Sequence, residues 1–248
     1  MTTTPHARSF DAAAALYAAN RPSYPPALLD AVEEIAGRPL AGARVADVGA
    51  GTGILTALLH ARGARVVAVE PGDGMAAEFR RSLPGVPVVR GDGDRLPLAS
   101  ASADVVTYAQ AWHWTDPRRS LPEAFRVLRP GGALAVMRND SDESVPWIAE
   151  QTARIRRFLG VGEDVAAAGA ARSLPSGRPG FTTRRVPWSR RVPLDTHIAN
   201  LSSHSDFLVL GEERAAAFLA RERELLAGVF PDGTVEEPYV ATVSVALR

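Results

Sequence analysis

The sequence contains no cysteine and no lysine among its 248 residues. Without cysteine it can form no disulfide and offers no thiol nucleophile and no cysteine ligands for zinc or iron–sulfur clusters. All 28 basic residues are therefore arginine. A chain without lysine has no side-chain amine for a Schiff base, and it cannot complete a G-x-x-x-x-G-K-[ST] phosphate loop. These absences exclude several large classes of enzyme.

An excess of charge is also missing, because 28 acidic residues balance the 28 arginines. Such a chain lacks the overall positive field that draws proteins to nucleic acid or anionic lipid. No apolar run approaches the length of a transmembrane helix, and the first ten residues lack the apolar core of a signal peptide. The five histidines show no metal-ligand spacing. We therefore expect a cytoplasmic monomer or homodimer with no nucleic-acid partner, no membrane partner and no metal.

What the sequence does contain is a regular alternation of strand and helix patterns. Strands are predicted at residues 43–48, 65–69, 86–89, 103–109 and 133–138, and helices at 54–62, 75–83 and 121–128. This alternation predicts a parallel sheet covered by helices on both faces. A hydrophobic content of 46% is typical of a globular chain, and the length suits one large α/β domain.

The two flanks of this region have patterns of their own. Residues 11–37 predict two short helices joined by a proline-rich elbow at 21–26. After Asn139, helices are predicted at 144–159, 195–203 and 212–226, and strands at 181–192 and 239–247. We expect the last two strands to pair at the edge of the sheet.

A glycine-rich loop follows the first predicted strand. Gly49, Gly51 and Gly53 have the spacing G-x-G-x-G, and Ile54 stands where a dinucleotide-binding G-x-G-x-x-G motif has its third glycine. Glycine allows a sharp turn and a close approach of the backbone to a ligand. In open α/β sheets, ligands bind outside the carboxyl ends of the strands. The loop therefore predicts a cofactor site, and the spacing disfavours a pyrophosphate ligand.

Acidic residues end the next two predicted strands. Glu70 follows the second strand, where a carboxylate can accept hydrogen bonds from both hydroxyls of an unphosphorylated ribose. Asp92 follows the third strand and could accept from an exocyclic adenine amine. Pro71 and Met75 could flank the adenine ring. Together these residues predict a nucleoside cofactor.

Several segments together resemble one enzyme family. They are YAANRPSYP at residues 17–25, ADVGAGTG at 46–53, Glu70-Pro71, GDGDRLPL at 91–98, DVVTYAQAWHW at 104–114 and FRVLRPGGALAV at 125–136. The set resembles the class I S-adenosylmethionine-dependent methyltransferases. Within them it is similar to the small-molecule type 11 branch and to the trans-aconitate methyltransferase group.

The resemblance implies a doubly wound, seven-stranded, mostly parallel α/β sheet of the Rossmann-like methyltransferase type. It also implies an N-terminal helical lid and a helical insertion in the C-terminal half. We expect a single domain over residues 1–248. Within it, residues 1–40 would form the lid, 41–138 the cofactor-binding core, and 139–248 the substrate-pocket helices and the terminal strands.

The resemblance also implies a cofactor site for S-adenosylmethionine, with S-adenosylhomocysteine as its product. The cofactor-binding residues would be Tyr17, Arg21, Asp47, Gly49, Gly51, Glu70, Pro71, Met75, Asp92, Gly93 and Gln110. Among these, Gln110 would lie beside the sulfonium, and Tyr17 and Arg21 would belong to the lid.

The acceptor side is predicted around the end of the fourth strand. His113 is the candidate general base, since histidine titrates near neutrality, and a role in shaping the pocket is an equal alternative. The candidate substrate-binding residues are Tyr24, Trp112, Arg138, Trp147 and His204. Arg138 could pair with a substrate carboxylate or with a nearby acidic residue such as Asp140.

The predicted reaction is methyl transfer to oxygen, nitrogen or carbon of a small molecule. The Asn/Asp-Pro-Pro-aromatic motif of methyltransferases that act on DNA amines is missing at this strand. The abundance of Ala, Arg, Gly and Pro suggests a GC-rich coding sequence and a role in secondary metabolism. The alternatives are an S-adenosylmethionine-binding enzyme of the same fold with a non-methylating reaction, such as a cyclisation, and a dinucleotide-dependent oxidoreductase, which Ile54 disfavours.

Overall fold

Strands and helices alternate along most of the chain. The computed structural model describes residues 14–161, 180–204, 206–207, 210 and 212–248. The helices are Ala14–Asn20 (α1), Pro26–Ala36 (α2), Ile54–Ala61 (α3), Asp73–Ser82 (α4), Pro117–Val127 (α5), Pro146–Leu159 (α6), Leu194–Ser202 (α7) and Glu212–Val229 (α8). The strands are Arg44–Val48 (β1), Arg65–Glu70 (β2), Val88–Arg90 (β3), Ala103–Ala109 (β4), Leu128–Ser141 (β5), Phe181–Pro193 (β6) and Thr234–Leu247 (β7). A short 3-10 helix covers Trp112–Trp114.

The strands form one sheet in the order β3-β2-β1-β4-β5-β7-β6. The first five are parallel to one another, and β7 runs antiparallel to both β5 and β6. This topology confirms the predicted doubly wound, mostly parallel sheet. The chain reverses its direction of winding between β1 and β4, so the carboxyl ends of these two strands flank the crevice in which such sheets bind ligands.

Both faces of the central strands are buried, as a parallel sheet requires. Val45 and Val105 pack on one face with Leu28 of α2. Val106 and Tyr108 pack on the other face with residues of α5. The sheet therefore holds the ends of β1, β2 and β4 in fixed positions, and the candidate site residues extend from these ends.

Two element boundaries differ from the prediction. Helix α5 begins at Pro117, not at residue 121, because proline fits the first turn of a helix and the side chain of Asp116 accepts from the backbone N–H of Arg118 at 3.0 Å. The predicted turn at 130–132 lies inside β5, which extends to Ser141. Gly131 adopts a φ of +72°, and the pairing with β4 shifts register near this point.

The predicted pairing of the last two strands is confirmed, with β6 at the edge of the sheet. Strand β7 is longer than predicted because it begins at Thr234 and pairs with β6 along the whole length of that strand. The edge position explains why β6 tolerates Pro187 in its middle, since an edge strand can lack one donor. The predicted start of the first helix at residue 11, and nearly all of the stretch between α6 and β6, lie outside the described residues.

Candidate active site

The glycine-rich loop leaves β1 and bends across the end of β2. The backbone N–H of Gly49 donates to the carbonyl of Val69 at 2.8 Å. Gly49 has a φ of +67°, and a Cβ there would lie 2.4 Å from the Cβ of Ala111. Gly51 also has a positive φ, +58°, but a Cβ there would meet nothing within 4 Å. Gly49 is therefore needed for packing, whereas Gly51 faces open space that a ligand can occupy.

Glu70 ends β2 directly beside this loop, and only 6% of its surface is exposed. Its Oε2 accepts from the backbone N–H of Gly51 at 2.8 Å, and its Oε1 accepts from that of Gly72 at 2.7 Å. A carboxylate oxygen can accept more than one hydrogen bond. The two backbone donors therefore fix the carboxylate in place and leave it able to accept from a pair of neighbouring hydroxyls.

The hydroxyl of Thr52, in the same loop, is buried and has no hydrogen-bond partner within the described part of the chain. A buried polar atom without a partner is unfavourable, so such atoms in native proteins require an explanation. The simplest is a ligand that bonds to it when the loop is occupied. The prediction from sequence missed Thr52 because glycine spacing drew attention to its neighbours.

Asp47 lies under the loop and faces inward. Its Oδ1 accepts from the hydroxyl of Thr107 at 2.8 Å, and its Oδ2 accepts from that of Thr56 at 2.5 Å. Burial raises the pKa of Asp47 to about 6, although both hydroxyls act in the opposite direction. Because Asp47 is almost fully buried beneath the loop, it can act on a cationic ligand through its charge rather than by direct contact in this arrangement.

The loop after β3 carries Asp92 and Gly93. The Oδ1 of Asp92 accepts from the backbone N–H groups of Asp94 and Arg95, each at 2.9 Å. Gly93 is buried, and its carbonyl accepts from the hydroxyl of Tyr108 at 3.0 Å. A Cβ at Gly93 would lie 2.9 Å from the Tyr108 ring. Packing therefore accounts for this glycine, while Asp92 stays exposed beside it.

Two further residues of the predicted adenine site follow β2. Met75 is buried in the first turns of α4, and Pro71 is exposed. The guanidinium of Arg90 donates to the carbonyl of Glu70 at 3.0 Å and also to that of Pro71. The end of β2 is therefore tied to the end of β3, which keeps the loops after both strands together.

Gln110 follows β4 with a φ of +53°, an uncommon conformation for a residue other than glycine. Its Nε2 donates to the carbonyl of Asn139 at 2.8 Å, and its backbone N–H donates to that of Met137 at 3.0 Å. Strained backbone of this kind clusters at functional sites. The neighbouring strand β5 therefore holds Gln110 in position at the crevice.

The three aromatic residues of the 3-10 helix differ in their exposure to solvent. Trp112 is buried and meets the ring of Tyr108 edge to face at 4.9 Å, so the structure places it in the core. His113 and Trp114 lie outside with ring centroids 4.6 Å apart, and Trp114 is 39% exposed. The surrounding protein and the charge of Arg138 lower the pKa of His113 to about 4. Its imidazole is therefore neutral at pH 7.

The structure brings together three predicted residues that are far apart in sequence. The guanidinium of Arg21 lies over the ring of Tyr17, at 4.7 Å from its centroid. Its Nη1 lies 3.3 Å from His204 Nε2, and its Nη2 donates to the carbonyl of Ser203 at 3.2 Å. Arg21 Nε is buried without a hydrogen-bond partner, and among the described residues no carboxylate forms a salt bridge with Arg21. This uncompensated cation favours an anionic ligand group.

Other predicted acceptor-site residues have structural partners. Tyr24 is buried in the core, and burial raises its pKa well above the ordinary value. Arg138 pairs with Asp140, with its Nη2 at 2.5 Å from Oδ1, as one of the two predicted possibilities had it. Trp147 meets Phe230 edge to face at 5.2 Å in a separate hydrophobic cluster. Packing or pairing within the protein accounts for the position of each of the three residues.

The described residues contain neither a membrane-spanning helix nor a cluster of metal ligands. In that part of the chain no helix has the length and apolarity needed to cross a bilayer. The same residues contain no group of three or more His, Asp or Glu side chains placed to hold a metal ion.

Comparison with known proteins gives the family. The sequence model described as a methyltransferase domain matches residues 46–136. An uncharacterized methyltransferase of Mycobacterium tuberculosis is 37% identical over 221 residues, which cover 88% of this chain and 86% of that protein. None of the relatives and structures named here is a trans-aconitate methyltransferase.

Solved structures agree on the fold. A protein of Anaeromyxobacter dehalogenans, described as a type II methyltransferase, superposes with a TM-score of 0.65 at 27% identity, over 92% of this chain and 96% of that one. A Haemonchus contortus phosphoethanolamine N-methyltransferase, solved with S-adenosylhomocysteine, has a TM-score of 0.51 at 15% identity, over 96% of this chain and 57% of that one. The chain therefore belongs to the class I S-adenosylmethionine-dependent methyltransferases that act on small molecules.

Proposed function

We propose that the crevice beside β1, β2 and β4 is where this enzyme holds S-adenosylmethionine, with Glu70 on the ribose. The observation that carries the proposal is the carboxylate of Glu70, which is almost fully buried and fixed by the backbone of Gly51 and Gly72. Each carboxylate oxygen can accept a further hydrogen bond, so the fixed carboxylate can receive a pair of ribose hydroxyls. The open space at Gly51 and the unpartnered hydroxyl of Thr52 fit a ligand in the same place.

The remaining cofactor contacts are assigned by position. Asp92, Gly93, Pro71 and Met75 would surround the adenine at the ends of β2 and β3. Gly49 shapes the loop that approaches the methionine moiety. When bound, S-adenosylmethionine supplies a methyl group on a positively charged sulfur, and Gln110 would lie next to that group. Asp47, ionised above about pH 6, would favour the positive charge through space.

The carboxylate of the methionine moiety requires a cation. Arg21 is the candidate because it lacks a carboxylate partner among the described residues and lies with Tyr17 at the N-terminal helices. A guanidinium binds a carboxylate through charge-assisted hydrogen bonds. We assign Tyr17 and Arg21 to the cofactor on this ground.

On the acceptor side, His113 and Trp114 are the exposed residues at the end of β4. A general base is most efficient when its pKa lies near the operating pH, so a pKa of about 4 makes His113 a poor general base for an alcohol. The low pKa of His113 supports a role in which its ring accepts a hydrogen bond from the substrate and orients the group to be methylated. It also supports a role as proton acceptor for a substrate group that is itself acidic. His204 is held neutral in the same way, because burial and Arg21 lower its pKa well below the ordinary value.

The proposal extends to the acceptor and the setting. The candidate residues around a small-molecule acceptor are Arg138, Tyr24, Trp112, Trp147 and His204. The balanced charge of the chain supports a small-molecule acceptor rather than nucleic acid. We further propose one methyltransferase domain over residues 1–248, a cytoplasmic location and a role in secondary metabolism.

The placement of Glu70 is tested by calorimetric titration with S-adenosylhomocysteine. In the variant Glu70→Gln, one acceptor oxygen becomes an amide that cannot accept, so we expect binding to weaken by about 1–3 kcal/mol. Glu78→Gln is the matched control, since Glu78 is also largely buried but pairs with Arg81 on α4. Unchanged affinity in a folded Glu70→Gln protein would refute the placement.

A further inference from the structure

A buried polar cluster lies between β6, β7 and α7. Its centre is Glu237, which is only 1% exposed. Glu237 Oε1 lies 2.6 Å from His197 Nδ1. Its Oε2 accepts from Arg190 Nε at 2.5 Å and from the hydroxyl of Tyr239 at 2.8 Å. These partners together lower the pKa of Glu237, although burial alone would raise it. Glu237 is thus a buried anion.

Arg190 extends from this cluster to the N-terminal helices. Its Nε binds Glu237, while its Nη2 donates to the carbonyl of Asn20 at 2.9 Å. Asn20 is the last residue of α1. The last carbonyls of a helix have no partner within the helix and carry partial negative charge, so a cation is favourable there. Arg190 therefore fixes the end of α1 to the sheet.

Asn139 makes a second connection, to Ser23, which lies three residues after Asn20. Its Nδ2 donates to the carbonyl of Ser23 at 3.3 Å, and its Oδ1 accepts from Trp188 Nε1 at 2.8 Å. The carbonyl of the same residue accepts from the side chain of Gln110 at 2.8 Å. Asn139 thus joins the segment between α1 and α2 to strand β6 and to the end of β4.

The two connections enclose Arg21. Asn20 and Ser23 are held through their carbonyls, and the guanidinium of Arg21 between them is directed to Ser203 and His204. Burying an ion pair such as Arg190 and Glu237 contributes little net stability, because the loss of hydration offsets most of the attraction. A role in fixing geometry explains the buried pair better than stability does.

We infer that Arg190 and Asn139 are positioning residues that hold the segment from Asn20 to Ser23 so that Arg21 can bind the cofactor. They act through the backbone of that segment and do not touch the cofactor themselves. This inference rests on the proposed role of Arg21 in cofactor binding.

The experiment is a double-mutant cycle on the affinity for S-adenosylhomocysteine, measured by calorimetry on the full chain. Arg190→Lys keeps a cation beside Glu237 but loses the planar fork that reaches Asn20 at the same time. The matched control is Arg191→Lys, since Arg191 is the exposed neighbour on the same strand. The cycle is completed by Arg21→Ala and the Arg21→Ala, Arg190→Lys double variant. Asn139→Ala tests the second connection independently.

We expect Arg190→Lys and Asn139→Ala each to weaken binding about tenfold and Arg191→Lys to have no effect. In the double variant the loss of affinity should equal that of Arg21→Ala alone, because substitutions of residues that act through the same group do not have additive effects. A purely structural role predicts a lower melting temperature with unchanged affinity, or additive losses, and either result would overturn the inference. If Arg21→Ala alone leaves binding unchanged, the proposed role of Arg21 fails instead.

Discussion

Burial and, to a smaller extent, neighbouring arginines keep both histidines near the crevice neutral. Arg138 contributes to the low pKa of His113, and Arg21 contributes to that of His204. A neutral imidazole keeps a lone pair and can accept a hydrogen bond or a proton. The sequence predicts His113 as a general base or as a residue that shapes the pocket, and its low pKa favours the second role.

The pKa of His113 can be measured without knowing the acceptor. In protein with isotope-labelled histidine, NMR should show the His113 ring still mostly neutral at pH 5, since its pKa is about 4 and not the ordinary 6.5. Arg138→Gln should raise this pKa, because it removes a positive charge and leaves Asp140 unpaired. Titration of His113 near 6.5 with no response to Arg138→Gln would contradict the assignment.

The same shift has a consequence for stability. The unfolded chain binds the proton near pH 6.5, whereas the folded chain binds it only near pH 4. The contribution of His113 to folding is therefore fully present above pH 6.5 and is lost as the pH falls toward 4.

At the scale of elements, the loop between β1 and α3 separates packing from binding at two glycines. Both Gly49 and Gly51 have positive φ, so alanine at either position costs about 1–2 kcal/mol of backbone strain. Only Gly49→Ala adds a clash with Ala111. Gly51→Ala instead places a methyl group in the open space that we assign to the cofactor.

The two substitutions should therefore have different effects. We expect Gly49→Ala to lower the melting temperature more than Gly51→Ala does. For a given loss of stability, we expect Gly51→Ala to weaken the affinity for S-adenosylhomocysteine at least as much as Gly49→Ala does. Thermal unfolding and calorimetric titration of the two variants provide both quantities. Equal melting temperatures would show that the contact of Gly49 with Ala111 has been misjudged.

The elements also show how far the sequence can be used for prediction. Strands β1, β2 and β4 agree with the prediction within one residue, because buried parallel strands are short apolar runs bounded by glycine and charge. The start of α5 was placed too late because the apolar periodicity begins only at Leu121, whereas the cap is formed by Asp116. Pairing at a cap or a bulge depends on single hydrogen bonds that periodicity does not reveal.

At the scale of the whole molecule, the predicted fold was confirmed because the alternation of elements, the glycine loop and the ends of three strands all point to the same topology. The cluster around Glu237 and the contact between Arg21 and His204 could not be predicted. Arg21 and His204 are 183 residues apart in sequence, so only the folded chain brings them together. Local patterns carry no information about such side-chain pairs.

The central claim is that the crevice beside β1, β2 and β4 binds a nucleoside cofactor with a free ribose and no pyrophosphate. The most direct measurement is calorimetric titration of the unmodified protein with S-adenosylhomocysteine and, separately, with NADH. We predict saturable binding of one S-adenosylhomocysteine per chain and no binding of NADH. Binding of NADH, or a folded protein that does not bind S-adenosylhomocysteine, would contradict the account.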